Sequence, residues 1–187
     1  MKNLLFIISL IACSSCNNSL ASSQTQVDRG DVIDEFNGVS VYYNGIFSGT
    51  SGRNVSPDGY NIGLKYQCVE FVKRYYFYKY DHRMPNPWGH ARDFYNSDLS
   101  DGELNSERGL YQHDNGGRSI PRAGDIMVFS PTVFNSYGHV AIVSSVSSNS
   151  VEIIQQNTPF SGSRQKIDFS NNRVQSSRVL GWLSSSQ

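Results

Sequence analysis

The chain has 187 residues, carries 16 basic and 16 acidic side chains, and has a formal net charge of zero. That balance argues against a nucleic-acid binder that works by neutralising phosphates, and the length, with no internal repeat, suits one domain able to bury a real core. Charged residues make up only 17% of the chain while Ser, Gly, Asn and Tyr are plentiful, which fits a β-rich exported domain better than a disordered or coiled-coil one.

Lys2 supplies a short positive start, and residues 4–12 form an apolar run too short to span a bilayer comfortably. Leu10-Ile11-Ala12-Cys13 looks like the lipobox of bacterial lipoproteins, in which the cut falls just before a cysteine that is then lipidated. The resemblance implies a signal peptide over residues 1–12, acyl chains on Cys13 that hold the protein to a membrane of the cell envelope, and a flexible, Ser-rich tether over residues 13–30. It does not say which membrane. Residues 31–187 are then the folded domain, expected to act as a monomer. Cys16 sits in the tether, a poor frame for a disulfide to Cys68 even in an oxidising compartment. Cys13-Ser14-Ser15-Cys16 has zinc-ligand spacing but lacks a second ligand pair.

From about Asp31 apolar residues begin to alternate. Residues 39–43 read as a strand with Asn44-Gly45 as its turn, and residues 47–60, rich in Gly, Ser and Asn, as a loop. A helix is predicted from Cys68 to Tyr80, because Val69, Val72, Tyr76 and Tyr80 recur at helical spacing and Glu70 can pair with Arg74 one turn on, as a surface salt bridge. Its aromatic residues point to burial around most of its circumference. Residues 84–89 break the chain, residues 90–95 suit a second short helix, and residues 96–118 read as a long polar excursion, the kind that walls a groove. Strands are then predicted at residues 125–129, 139–143, 151–155, 165–169 and 178–183. Helices followed by short antiparallel strands give an α+β fold, with N-terminal helices packed on an antiparallel sheet.

Cys68 opens its helix, where unpaired backbone N–H groups and the dipole favour thiolate over thiol. His139 opens a strand, and the next strand brings Gln155 and Asn157 within reach of its imidazole. A thiolate to attack a carbonyl, an imidazole to hold and return the proton, and a third group to fix the tautomer make up an acyl-transfer site. Gln67 can line an oxyanion pocket beside the Cys68 N–H. This chemistry needs no cofactor, and no metal-ligand set is visible.

Gln67-Cys68-Val69-Glu70-Phe71, Gly124-Asp125-Ile126, Gly138-His139-Val140-Ala141-Ile142-Val143, Gln155-Gln156-Asn157 and Val179-Leu180-Gly181-Trp182 resemble, in order, the blocks of CHAP domains. The similarity covers about residues 32–183. It implies a papain-like fold with Cys68 as nucleophile and His139 as base, acting on peptidoglycan or, in a subset, on glutathionylspermidine, to whose amidases the Cys68 block is most similar. The chain departs at Gln155, where the family usually has Glu. Glu152 is no substitute, because an odd offset along a strand puts it on the opposite face. A Gln carbonyl can accept the imidazole Nδ1–H and fix the tautomer, but it cannot stabilise imidazolium by charge.

The remaining candidates carry less. His82, His90 and His113 are expected at the surface, Asp125 in the turn entering its strand, and Trp88 and Trp182 in the core or a groove wall. The expectation is an envelope cysteine amidase or endopeptidase that cleaves an amide bond in peptidoglycan peptides through a thioester. One alternative is a glutathionylspermidine-type amidase, for which Asp98, Asp101, Glu103 and Glu107 could hold the spermidine cations. The other is a weakly active or inactive module that binds cell-wall peptide.

Overall fold

The computed structural model describes residues 26–45, 49–158 and 162–186. The lipobox-like segment, Cys13 and Cys16 lie outside those residues. The described chain opens with a hairpin, β1 (Val32–Phe36) and β2 (Val39–Tyr42), whose two-residue turn is Asn37-Gly38 at φ of 52° and 80°, the backbone such a turn requires. The turn thus precedes the expected strand, instead of following it at Asn44-Gly45. A second hairpin, β3 (Arg53–Val55) and β4 (Asn61–Leu64), leads into α1 (Cys68–Tyr80).

Beyond a 3-10 helix, Ala91–Phe94, come β5 (Glu103–Asn105), β6 (Leu110–Asp114), β7 (Ile126–Phe129), β8 (His139–Val146), β9 (Ser150–Ile154), β10 (Arg164–Ser170), β11 (Arg173–Val174) and β12 (Val179–Ser184). They form one antiparallel sheet in the order β11-β10-β9-β8-β7-β12-β6-β5. The α+β expectation holds, but the N-terminal helices reduce to one. Among the described residues α1 is the single α-helix, and residues 90–95 hold only the 3-10 turn. The segments before α1 carry Gly-punctuated, period-2 patterns, and these pair as hairpins.

The sheet is buried on both faces. Ile126, Val128, Val140, Ile142, Ile154 and Leu183 meet Phe71, Val72, Tyr75 and Tyr76 of α1 in one core. The residues between them, Met127, Phe129, Ala141, Val143, Val151 and Ile153, join Ile167, Phe169 and Val174 of the outer strands in a second. Register shifts at Val143/Ser145 and Val179/Gly181 mark the bulges that let a sheet curl over its own second core. Each fully buried apolar side chain contributes about 1.5–3 kcal/mol.

α1 is buried through Tyr76 and surfaces at its end, where Tyr78 and Tyr80 are exposed. It stops at Asp81, which adopts the left-handed conformation (φ 48°) and returns its N–H to the Tyr76 carbonyl.

The long excursion is not a loop. It holds β5 and β6, and β6 lies inside the sheet beside β12. Several of its polar residues are buried: Gln112 donates to the Asn96 carbonyl and accepts from the Asn96 N–H and from buried Asn105. His113 is buried too, against the expectation of exposure, and stacks on Trp182. Polar side chains satisfied inside the protein erase the alternation by which a strand is recognised.

Candidate active site

Gln67 is still extended (φ −83°, ψ 161°), so Cys68 is the first helical residue and sits among the unpaired N–H groups of the first turn. It is 9% exposed, packed in the core between α1 and the sheet. Burial pushes the thiol up, although the N–H groups of Val140, Val69 and Cys68 itself bond to it and pull the other way. The thiolate expected from the helix N-terminus is therefore not the resting form. Desolvation of a buried sulfur outweighs the dipole.

His139 opens β8 opposite Phe129, their ring centroids 5.8 Å apart. Gly138 makes this start possible. At φ 75°, a Cβ there would lie 2.8 Å from the Phe129 carbonyl and 3.2 Å from the Arg92 nitrogen. By the parity of their strands, His139 and Gln155 share one face of the sheet, and they meet, with imidazole Nε2 3.0 Å from Gln155 Oε1. An amide oxygen only accepts, so Nε2 carries the proton and Nδ1 keeps the lone pair. The nitrogen bonded to Gln155 is thus Nε2, not the expected Nδ1. Burial drives the imidazole down to about 4, with the Gln155 bond opposing and Arg178 adding to the fall. Cys68 packs in the same core as Val140, the residue after His139. Glu152 bonds to Ser144 and Arg164, away from His139, in keeping with its parity.

Gln67 and Asn157 are brought together. Asn157 Nδ2 donates to Gln67 Oε1 at 2.7 Å, Gln67 Nε2 donates to the Gly49 carbonyl at 2.8 Å, and Asn44 Nδ2 reaches Asn157 Oδ1 at 2.8 Å. This chain of amides ties the start of α1 to the end of β9. Asn157 joins it from a left-handed backbone (φ 64°). Asn44 has the position of a turn residue in sequence, and only its spatial neighbours reveal its part.

Beneath the amides lies a charged pair. Glu70 is buried rather than at the surface: 1% exposed, it pairs with Arg74 at 2.7 Å. Gln156, also buried, donates to the Gln67 carbonyl and to Glu70, and accepts from the Tyr42 N–H and Arg74. Sequence reasoning missed Gln156 as a support of the site, although it sits between two candidates, because its parity points it to the helix side.

Asp125 accepts the Arg122 N–H, as its turn predicts, and burial raises its carboxyl to about 6. The four acidic residues offered for the spermidine cations do not gather into a cation pocket at Cys68. Asp101 accepts from Asp114 and Arg118, Glu103 from the Ser100 N–H and Glu107 from Asn86, while Asp98 is exposed. His90 is exposed as expected, and half-buried His82 bonds the Arg108 carbonyl. Trp182 is a core residue, whereas Trp88 is 58% exposed.

Two neutral partners give a testable acid–base signature. Alkylation of Cys68 by iodoacetamide, followed on its own peptide by mass, is expected to accelerate with pH to a midpoint above the ordinary thiol value of about 8.5. A rate already at its plateau below pH 7 would mean a resting thiolate–imidazolium pair.

Comparison with known proteins adds three findings. The CHAP domain family model matches residues 58–157, just over half of the chain and including Cys68, His139, Gln155 and Asn157. No curated protein matches. Among solved structures, the chain is similar to "The crystal structure of Ly7917" at 17% identity and a TM-score of 0.40, covering 72% of this chain and 56% of that one. It is also similar to "The crystal structure of Ly7917 with the hydrolyzing product of MDP" at 17% identity and a TM-score of 0.38, covering 63% and 53%. The chain spans about half the length of the structures it matches.

Proposed function

The chain belongs to the CHAP domain family, and on that premise we propose that it is a cysteine amidase or endopeptidase that hydrolyses an amide bond in peptidoglycan peptides. We place it in the bacterial cell envelope, held to a membrane by lipid on Cys13. The observation that carries the reading is His139 held at Nε2 by Gln155, on the strand whose next residue, Val140, shares a core with Cys68 at the start of α1.

The chemistry follows from the tautomer. Nδ1 of His139 takes the thiol proton as Sγ attacks the scissile carbonyl, so thiolate and imidazolium form only as the new C–S bond does. The oxyanion is met by the Cys68 backbone N–H and by the second N–H of Gln67 Nε2, the first being held by Gly49. As the intermediate collapses, the C–N bond breaks and imidazolium protonates the departing amine, leaving a Cys68 thioester. A water, deprotonated by His139, then releases the acid and restores the thiol. Gln155 and Asn157 are positioning residues: one holds the imidazole, the other holds Gln67.

The test is digestion of purified peptidoglycan by the full chain in detergent, beside Cys68→Ala, with fragments identified by mass and glutathionylspermidine offered in parallel. Release of peptides that stops in Cys68→Ala is expected, and the masses name the bond. Cleavage of glutathionylspermidine alone would transfer the reading to that amide, and no cleavage of either by a folded protein would leave a binding module.

Gln155 carries a further prediction. Glu at this position would put a carboxylate against Nε2 and favour imidazolium, raising His139 from its value of about 4. Gln155→Glu is expected to match or exceed wild-type kcat/KM at pH 6–7 and to shift Cys68 alkylation to lower pH. A slower enzyme would count against Gln155 as the imidazole's partner.

A further inference from the structure

A cleft of about 400 Å3 has a lining that includes Trp88, Tyr95, Asn86, Asn96, Glu107 and Arg108. The 3-10 helix Ala91–Phe94 contributes both to the core that holds Cys68 and to the lining of this cleft. On one side Ala91 and Phe94 join the core that holds Cys68, and the Arg92 N–H donates to the Tyr137 carbonyl at 2.8 Å, two residues before His139. On the other side Tyr95, which follows this helix directly, lines the cleft.

The walls are tied together from within. Arg108 is 2% exposed, and its guanidinium donates to the carbonyls of Asn86 (2.7 Å), Trp88 (3.1 Å) and Asp93 (3.0 Å) while lying 4.4 Å over Phe94. Its buried Nε has no partner among the described residues. Trp88 is held from behind by Arg53, whose guanidinium sits 4.9 Å from the ring centroid, yet the indole remains 58% exposed. An exposed indole fixed in place is a platform rather than a stray apolar residue. Around it stand acceptors and donors: Asn86 bonded to Glu107, and Asn96, whose backbone and side-chain oxygen are taken by Gln112 and Asp98, leaving its side-chain NH2 for a ligand. Glu107 and Arg108 oppose each other in charge, and Asp93, the other acid of the lining, lies 3.6 Å from Arg92, so the cleft suits a neutral ligand with an apolar face and a rim of hydroxyl and amide groups.

We propose that this cleft binds N-acetylated hexosamines of the glycan strand, with a pyranose ring against Trp88, so that a stem peptide attached to that glycan is led past the 3-10 helix to His139 and Cys68. The inference rests on the peptidoglycan reading for the source of the sugar. Trp88 is then a residue that recognises substrate away from the reacting atoms, and it acts on KM.

The two tryptophans make the test direct, because Trp182 is buried and Trp88 is not. The full chain in detergent, carrying Cys68→Ala, is titrated with a tetramer of N-acetylglucosamine while tryptophan fluorescence is followed, with a free stem peptide as comparison. A saturable change with the saccharide is expected, and because Trp88 is itself the exposed reporter the variants are titrated by calorimetry, where the binding heat should be lost in Trp88→Ala and kept in Trp88→Phe. In the active chain Trp88→Ala should raise KM for peptidoglycan about tenfold with kcat within about twofold of wild type. Far-UV circular dichroism checks that each variant is folded. No saturable change, a change that survives Trp88→Ala, or one produced by the peptide and not the saccharide overturns the proposal. A Trp88-dependent response in a protein that cleaves nothing supports the glycan cleft while removing the amidase reading.

Discussion

Replacing Cys68 with Ala, His139 with Ala, or both together is expected to lower kcat on peptidoglycan by about 10⁴–10⁶-fold in every case, with the double variant no worse than either single one. The two residues perform one act. Without the imidazole, a thiol whose pKa is raised by burial has no acceptor for its proton. Without the thiol, the imidazole has nothing to activate but water. What survives comes from oxyanion donors and substrate positioning, which neither substitution touches. The measurement is turnover of the three variants on one peptidoglycan preparation. Losses that multiply would mean that the residues work independently, and a His139→Ala enzyme within about tenfold of wild type would remove the imidazole from the mechanism. The same reasoning puts Gln155 in a different class, because it adjusts the base without itself moving a proton.

The second large effect is on folding. Glu70→Ala is expected to destabilise the protein by about 3–5 kcal/mol, because it leaves the Arg74 cation buried without its counter-charge. Arg74 keeps the Ser40 carbonyl at 2.8 Å and Gln156 Oε1 at 3.2 Å, which are dipoles rather than a charge. Asn54 and Gln156 each lose the carboxylate oxygen to which they donate, at 2.8 Å and 2.9 Å. For a domain of this length the loss corresponds to a fall in Tm of roughly 6–20 °C. Thermal unfolding followed by circular dichroism reads it directly. Arg74→Met in the Glu70→Ala background is expected to recover part of the loss by removing the orphaned charge. A Tm for Glu70→Ala within about 2 °C of wild type would show that the pair contributes nothing to stability. Because Gln156 also grips the Gln67 carbonyl at the head of α1, disturbance here should be felt at the active site as well.

Much of the frame was legible from residues alone. The helix from Cys68 to Tyr80 and the strands that follow Gly124 and Gly138 stand where periodicity and turn chemistry place them. So does the opposition of Glu152 and Gln155, since it depends only on counting along a strand. The failures share a cause. β6 was hidden because Gln112 and His113 are polar and buried, and Glu70 was given to the surface because an i,i+4 pair with Arg74 most often lies there.

What the sequence by itself determined, then, is local: where α1 and half of the twelve described strands lie, and that one cysteine and one histidine open a helix and a strand. The tertiary structure decided burial, and with it the chemistry of those residues. It decided that the thiol is raised rather than lowered, that imidazole Nε2 and not Nδ1 faces Gln155, and that Trp88 is left exposed over a cleft. The physical reason is that solvation and hydrogen-bond partners come from elements distant in the chain. Gln155 lies 16 residues from His139, and Gln67 meets Asn157 across 90. Periodicity reports which face a side chain occupies, but the neighbours waiting on that face belong to other parts of the sequence.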